Sequence, residues 1–350
     1  YSYRHPEGEM KQIHMDIAAS IQKVIEEIII KIGYDIRKNT NQKNLCLAGG
    51  VALNCVANGK LLQEEIFQNI WIQPASGDAG GALGAALALN YMTFKNERFV
   101  DEKNDSMQGG FLGPSFNYGE IKNELDKIGA NYQIYSQDEM IINTARELTR
   151  GKAIGWMQGK MEFGPRSLGS RSILADPRDP KMQKNLNLKV KYRESFRPFA
   201  PSIMLDYTND WFDLDIESPY MLIVDQVKEG KLKYSNDNNL FGIDKLNMVR
   251  SEIPAVTHVD NSARIQTVNK DTNPLFYRLI KEFYKITNVP VLVNTSFNIR
   301  GEPIVCNVND AFRCFMGTDL DILVIDQFIL RKNEQNKKLL KDYKNQFELD

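Results

Sequence analysis

Cysteine and histidine are scarce in this sequence. The 350 residues include four cysteines, none of them in a CxxC pair, and three histidines that form no Cys/His cluster. A structural zinc site is therefore not expected, since such sites are built from clusters of these residues. The cysteines are expected to be reduced thiols that pack as small apolar side chains.

An excess of one charge and a long hydrophobic run are also missing. Lys and Arg number 44 against 45 Asp and Glu, which gives a net charge of −1. This balance argues against a general polyanion binder, so no nucleic-acid partner is expected. No apolar run reaches the ~18–20 residues of a membrane span, and no signal peptide is visible. We therefore expect no membrane partner and a cytoplasmic location.

The sequence does contain enough apolar residues for a core, at 42%, and its length fits one large or two ordinary domains. Isoleucines at helical spacing predict an amphipathic helix over about 12–33, followed by a short buried strand at 44–48 and a helix at about 55–66. This alternation indicates an α/β unit over 1–98. A polar stretch with Gly and Pro predicts a linker at 99–133 that includes a helix near 118–128. A second α/β unit is expected over 134–335, with a helix at about 137–150 and a strand in VPVLVNTS, and a charged tail is expected over 336–350.

Two glycine-rich turns form the first candidate site. In AGGVALN (48–54), the pair Gly49-Gly50 lets backbone N–H groups approach an anion at a helix N-terminus. In SGDAGGALGAA (76–86), Asp78 is placed to bind a metal or a ribose hydroxyl, or to cap the helix. Local chemistry favours the cap, and neither turn matches Walker A or GxGxxG.

The stretch MEFGPRSLGSRSILADPR (161–178) forms the second candidate site. Arg166 and Arg171 offer planar guanidinium groups suited to phosphate, on backbone that Gly and Pro stiffen and open to close approach. For any single arginine, a surface or structural ion pair is the commoner role. For a lone histidine, the commoner role is a buried ring whose nitrogens are hydrogen-bonded within the protein. With no nucleophile–base pair in view, the set suits phosphate chemistry run by positioning and charge. Later polar turns add further candidates: Arg193, Arg197, His258, Arg264, Ser296, Asn298 and Arg300.

Six motifs occur in the order typical of one protein family. They are LAGGVALNCVANGKL, PASGDAGGALGAAL, GKMEFGPRSLGSRSILADPR, FRPFAPS, HVDNSARIQTV and VLVNTSFNIRGEPIV. With them the chain, from about 10 to 330, resembles the ATP-dependent O-carbamoyltransferases of the nodulation-protein, cephem and tobramycin type.

The resemblance implies an α/β chain with two modules. The first would be the C-terminal part of a Kae1-like domain of the ASKHA fold, and the second a YrdC-like twisted α/β domain. Such enzymes form carbamoyl-adenylate from ATP and carbamoyl phosphate and transfer the carbamoyl group to a hydroxyl of a sugar or natural product. The implied cofactors are ATP as a substrate, Fe²⁺ for the transfer step, and Mg²⁺. A homodimer would fit the resemblance.

The resemblance also implies roles for single residues. Asp78 matches a metal-ligand aspartate, which overrides the preference for a helix cap. Two groups of positions follow the motifs. Gly49, Gly50, Val51 and Asn54 match the nucleotide loop of the Kae1-like module. Arg166, Arg171, Arg197, Arg264, Ser296 and Asn298 match the YrdC-like module, where charge assigns them to carbamoyl phosphate and the ATP phosphates, with His258 as a further catalytic candidate.

The sequence departs from the family pattern in two places. Lys160 stands where Arg is usual, which keeps the positive charge but loses the planar, forked guanidinium group. The HxxxH motif of the metal site is missing, since His5 and His14 have the wrong spacing. We therefore expect an incomplete iron site, a chain that begins partway through the Kae1-like module, and uncovered apolar surface on residues 10–95.

Two alternatives remain. The same module types occur in threonylcarbamoyl-adenylate enzymes of tRNA modification, although the motif set and the neutral charge fit these less well. A non-catalytic nucleotide-binding remnant is the other, and the retained arginine motifs argue against it. The acceptor hydroxyl is not readable from the sequence.

Overall fold

The chain has a mixed α/β fold with two sheets. The computed structural model describes Arg4, Phe347 and residues 8–101, 105–233, 245–246 and 248–340. His5, three residues of the expected linker and most of the expected tail lie outside these described residues. A two-stranded sheet belongs to the N-terminal unit, and a nine-stranded sheet to the remainder.

The N-terminal unit is a parallel strand pair connected through a helix. β1 and β2 pair in register from Asn44 with Asn69 to Leu47 with Ile72. The elements are α1 (Gln12–Thr40), β1 (Asn44–Leu47), a 3-10 helix (Gly50–Leu53), α2 (Cys55–Gln63), β2 (Asn69–Ile72), α3 (Asp78–Ala88) and a π-helix (Leu89–Thr93).

Much of this unit's apolar surface is exposed. The stripe of α1 that includes Ile21, Val24 and Ile32 is about half exposed, at 56%, 53% and 52%. Apolar side chains also stand exposed on the π-helix and just after it, as at Met92 and Phe94. The expectation of a buried strand at 44–48 was wrong, because β1 is exposed or half-buried along its length. The uncovered apolar surface expected on residues 10–95 is present.

The large sheet holds the core. Every residue of its strands β4, β5, β6 and β10 is buried, as expected of strands that read as continuous apolar runs. The elements are α4 (Tyr118–Ile128), β3 (Gln133–Ile134), α5 (Gln137–Thr149), β4 (Ile154–Met157), β5 (Arg171–Ala175), α6 (Met182–Asn185), a π-helix (Leu186–Val190), β6 (Ala200–Met204), α7 (Thr208–Trp211), β7 (Ile223–Gln226), β8 (Ser262–Val268), α8 (Pro274–Thr287), β9 (Val291–Ser296), α9 (Val308–Gly317), β10 (Ile322–Ile325) and β11 (Phe328–Arg331).

The strand order of the large sheet is β3-β11-β10-β4-β5-β9-β6-β8-β7. β10 runs parallel to β4 and β6 parallel to β8, and the other pairs are antiparallel. β9 and β6 therefore lie at adjacent positions near the middle of the sheet, with β8 next to β6. No helix among the described residues has the length and apolarity needed to cross a membrane.

The N-terminal unit sits on the β7 edge of the large sheet through α2. The Asn58 side-chain amide donates to the carbonyl oxygens of Ala52 (2.8 Å) and Leu222 (3.0 Å). Gly59 lies so close to the Val224 carbonyl that a Cβ at this position would clash with it. Asp105 adds a tie, because it accepts hydrogen bonds from the Trp71 indole (3.2 Å) and the Tyr220 hydroxyl.

Candidate active site

One face of the central strands carries most of the predicted site residues. Ser202 pairs with Gln266 of β8 and with Leu292 of β9, and side chains two residues apart on a strand share a face. Arg264 and Gln266 of β8 therefore share a face with Asn294 and Ser296 of β9. The hydrogen bond from the Asn294 amide to Gln266 Oε1 (2.8 Å) agrees with this placement.

The loop between β4 and β5 covers this face. Two carbonyl oxygens of the loop accept hydrogen bonds from side chains on this face. The Ser167 oxygen accepts from the Asn294 amide (3.1 Å), and the Leu168 oxygen accepts from the Gln266 amide (2.8 Å). The buried Glu162 carboxylate holds the loop from inside, since it accepts the backbone N–H of Leu168 (2.7 Å) and of Ser170 (2.8 Å). Burial raises the pKa of Glu162, and these hydrogen bonds oppose the rise.

Arg171 points away from this face. It is fully buried, and burial lowers its pKa. Its guanidinium therefore braces the backbone around the loop, and the structure does not bring it together with the other candidate arginines. The acceptors are the backbone carbonyl oxygens of Cys306, Gln158, Gly159, Ser170 and Pro114, at 3.0–3.3 Å.

Four cationic side chains line a cleft of about 390 Å³ beyond the end of β9. We call this group the β9 cluster: Lys191, Arg193, Arg197 and Arg300, with Ser296 and Asn298. Arg197, Ser296 and Asn298 were predicted from the sequence, and the structure brings them together. Arg197 pairs with Glu194 at 3.1 Å.

Lys191 is the member of the β9 cluster that sequence reasoning missed. Its Nζ lies 3.0 Å from Ser296 Oγ and 2.7 Å from Asn298 Oδ1, and it also donates to the backbone oxygens of both residues. Burial, with the Arg193 charge adding to it, lowers the pKa of Lys191 to about 7. Its position two residues before Arg193, in KYRESFR, was the signal available in the sequence.

Arg166 and Arg264 form a second group, the β8 cluster, together with His258. Burial is the main cause that lowers the pKa of Arg166 to about 10, and the charge of Arg264 adds to it. The Nε atoms of both arginines are buried without a hydrogen-bond partner among the described residues. Arg166 Nη2 donates to the Leu53 carbonyl oxygen of the N-terminal unit at 3.3 Å. The unused Nε donors on these two neighbouring cations favour an anionic ligand.

The two clusters are separated by the width of β6. β8 and β9 lie on either side of that strand, so their backbones are about 10 Å apart. The site therefore has two groups of cationic side chains, the β8 cluster and the β9 cluster, on one surface.

The predicted nucleotide loop faces outward in the N-terminal unit. Gly49 has a φ of 97° and donates its N–H to the Ser76 carbonyl oxygen at 2.9 Å, which joins the two glycine-rich turns. Gly50 and Val51 begin the 3-10 helix, and Val51 is 63% exposed. The Asn54 side chain caps α2 by accepting the Ala57 N–H at 3.1 Å.

Asp78 is the first residue of α3 and is exposed. It is not the cap residue, a position that Gly77 occupies, but a carboxylate in the first turn is favourable there. Within the described part of the chain, no three His, Cys, Asp or Glu side chains come close enough to hold a metal. The described residues thus do not fit an iron site.

Comparison with known proteins shows similarity along most of the chain. The family model of the carbamoyltransferase C-terminus matches residues 145–332, more than half of the chain, and that of the carbamoyltransferase N-terminus matches residues 2–87. An uncharacterized protein of Synechocystis, sll1178, is 53% identical over 99% of the chain. Nodulation protein NolO of Bradyrhizobium diazoefficiens is 41% identical over 92%.

The chain spans only 57% and 55% of the lengths of these two relatives. Among solved structures, full-length HypF in its phosphate- and nucleotide-bound form aligns with 76% of the chain and 37% of its own, at 13% identity and a TM-score of 0.36. That likeness is too weak to support a conclusion. The family models and the relatives do identify the chain: it belongs to the carbamoyltransferase family.

Proposed function

We propose that this chain carries the carbamoyl-adenylate-forming part of an ATP-dependent O-carbamoyltransferase. In this proposal the large sheet is a YrdC-like module, and residues 1–98 are the C-terminal part of a Kae1-like domain of the ASKHA fold. The observation that carries the proposal is the pair of cationic clusters at β8 and β9, two strands whose backbones lie about 10 Å apart in one sheet.

Two cationic ends suit a reaction between two phosphate-bearing substrates. The β9 cluster borders a cleft of about 390 Å³, enough for part of a nucleotide, and its guanidinium groups can chelate phosphate oxygens. The β8 cluster has buried donors with no partner in the part of the protein that the structure describes. Each phosphate would be held by fixed cations, and the short separation would bring the reacting groups together.

The proposed chemistry needs no protein nucleophile. Water cleaves carbamoyl phosphate to carbamate and phosphate. A carbamate oxygen then attacks the α-phosphorus of ATP, an O–P bond forms, and the bond to the bridging oxygen breaks with release of pyrophosphate. Cations of both clusters would stabilise the charge on the phosphoryl groups, and Mg²⁺ would accompany ATP.

The second step would transfer the carbamoyl group to a hydroxyl of a sugar or natural product, with AMP as the leaving group. The exposed loop at Gly49–Val51 is the part of the N-terminal unit proposed to contact the nucleotide. We assign no step to iron, since the described residues do not supply its ligands.

The first step is tested by exchange of labelled pyrophosphate into ATP. We expect exchange that depends on carbamoyl phosphate and falls about 10²–10³-fold in Lys191→Ala and in Arg264→Ala, the cost typical of removing a group that stabilises transition-state charge. Arg150→Ala, which removes an exposed arginine whose side chain pairs, among the described residues, with Glu147 alone, is the control and should exchange normally.

Other outcomes point to the alternatives. Exchange that requires threonine and bicarbonate would favour a threonylcarbamoyl-adenylate enzyme. ATP binding without exchange under either condition would favour a non-catalytic nucleotide-binding protein.

A further inference from the structure

His258, Asp260 and Ser262 form a short relay at the start of β8. Ser262 Oγ donates to Asp260 Oδ1 at 2.7 Å, and His258 Nδ1 lies 2.9 Å from the same Ser262 oxygen. Burial opposes ionisation of Asp260, but the hydrogen bonds from Ser262 hold its pKa below the usual value, so the carboxylate can only accept. The one hydroxyl proton therefore points to Asp260, and His258 Nδ1 must carry a proton and donate it to Ser262.

This arrangement fixes the tautomer of His258 and leaves Nε2 as an acceptor. Burial lowers the pKa of His258 to about 4; Asp260 opposes this and Arg264 adds to it, so the ring is neutral near pH 7. Among the described residues, none donates a hydrogen bond to Nε2. The lone pair of a neutral imidazole nitrogen is thus available to a ligand.

The sheet places this acceptor beside cations. Ser262 and Arg264 are two residues apart on β8 and share a face, so the relay that ends at His258 lies at the edge of the β8 cluster. A neutral acceptor close to the Arg264 charge suits a ligand with an anion and an N–H donor a few ångströms apart.

We propose that the β8 cluster binds carbamoyl phosphate and that His258 Nε2 accepts an N–H of its carbamoyl group, which selects this substrate over other acyl phosphates. This inference rests on the proposed function. In carbamoyl phosphate the amino group and the phosphorus are separated by only one carbon and one oxygen. In ATP the amino group lies at the opposite end from the phosphates, so ATP cannot satisfy both features at once.

Acetyl phosphate is the natural comparison because a methyl group replaces the amino group at nearly the same size. It would leave Nε2 desolvated and unpaired, and a site built to bind a polar group rejects an analogue that lacks it. In the wild-type chain we expect acetyl phosphate to compete with carbamoyl phosphate much more weakly than its shape suggests.

The first test is nitrogen NMR of the chain labelled with ¹⁵N-histidine. There are only three histidines, and the His258→Gln variant assigns the relevant signals. We expect a protonated Nδ1 and an unprotonated Nε2, with the Nε2 resonance shifted by carbamoyl phosphate and unmoved by acetyl phosphate. A protonated Nε2, or equal shifts with both compounds, would overturn the inference.

The second test is discrimination in the exchange assay. For His258→Ala we expect kcat/KM for carbamoyl phosphate to fall about 10- to 100-fold, while inhibition by acetyl phosphate changes less than about twofold. His258→Gln should recover part of the loss because its amide oxygen also accepts. Ser262→Ala removes the hydroxyl that fixes the His258 tautomer, so this variant should lose part of the preference for carbamoyl phosphate over acetyl phosphate. His14→Ala is the control, since within the described chain the His14 ring makes one hydrogen bond, which it accepts from the Lys11 N–H at the start of α1.

The outcomes separate the two proposals. Carbamoyl-phosphate-dependent exchange with unchanged discrimination in His258→Ala defeats the role of His258 alone. Absence of such exchange in the wild-type chain defeats the proposed function, and the role of His258 falls with it.

Discussion

Arg166 lies in the loop between β4 and β5, and Arg171, five residues later, begins β5, yet the two side chains have opposite surroundings. Arg171 donates to five backbone carbonyl oxygens and is fully buried. Arg166 donates to one carbonyl oxygen, has a buried Nε without a partner among the described residues, and is repelled by Arg264. Burial alone thus does not distinguish a structural arginine from a ligand-binding one, whereas the partners of the guanidinium nitrogens do.

The largest expected effect is on stability, in Arg171→Ala. Removing this fully buried side chain takes a donor from five carbonyl oxygens, those of the buried Gln158 and Ser170 among them, and leaves a cavity. We therefore expect a loss of about 3 kcal/mol or more in the free energy of unfolding. Urea denaturation measures it, with Arg150→Ala as a surface control expected to change by less than about 0.5 kcal/mol. A small loss in Arg171→Ala would remove the contrast between the two arginines.

Arg166→Ala should show the reverse pattern. Because its cation is desolvated, repelled by Arg264 and only partly hydrogen-bonded, we expect the free energy of unfolding to change by less than about 1 kcal/mol. Carbamoyl-phosphate-dependent pyrophosphate exchange should fall about 10²–10³-fold. Denaturation and exchange on the same preparation decide the matter. If the variant loses stability but keeps its exchange activity, Arg166 has a structural role like that of Arg171.

The smallest expected effect concerns Lys191, a buried cation that shares features with both arginines. Its Nζ has four protein oxygens within hydrogen-bonding distance, yet it lines the cleft. Its pKa of about 7 lies below the usual value, so the charge is present below pH 7 and is lost as the pH rises. We expect sulfate, which does not titrate here, to bind about tenfold more weakly at pH 9 than at pH 6.

Calorimetry of sulfate binding gives this profile. In Lys191→Arg the affinity should stay flat, since the guanidinium keeps its charge throughout. A flat wild-type profile would mean that Lys191 does not contribute its charge to the anion site.

Local sequence patterns predicted many of the elements. The helix expected at about 137–150 is α5, which begins after a Ser136 cap that reciprocates with Glu139. The strand expected in VPVLVNTS is β9. The order of the strands was not predictable, because the positions of β9 between β5 and β6 and of β8 beyond β6 depend on pairings distant in sequence. Burial of β1 was overestimated since an apolar run does not tell what covers it.

Charge and turn chemistry found most of the candidate site but not its organisation. Arg166, Arg197 and Arg264 were named from the sequence, and the structure places them in the two clusters. The division into two ends arises from strand register, which the sequence does not reveal. Lys191 was missed because a lysine between Val190 and Tyr192 looks like part of a solvated loop, and Glu162 because its partners are backbone N–H groups.

The contact of Gly59 with the Val224 carbonyl limits how far the N-terminal unit can shift relative to the large sheet. Nothing but two backbones meets there, so the alignment has no tolerance for even one added methyl group. α2 begins directly after the turn that carries Leu53, whose carbonyl oxygen Arg166 contacts. Gly59 has no side chain, and its close approach to β7 therefore helps to set the distance between the glycine-rich turns and the β8 cluster.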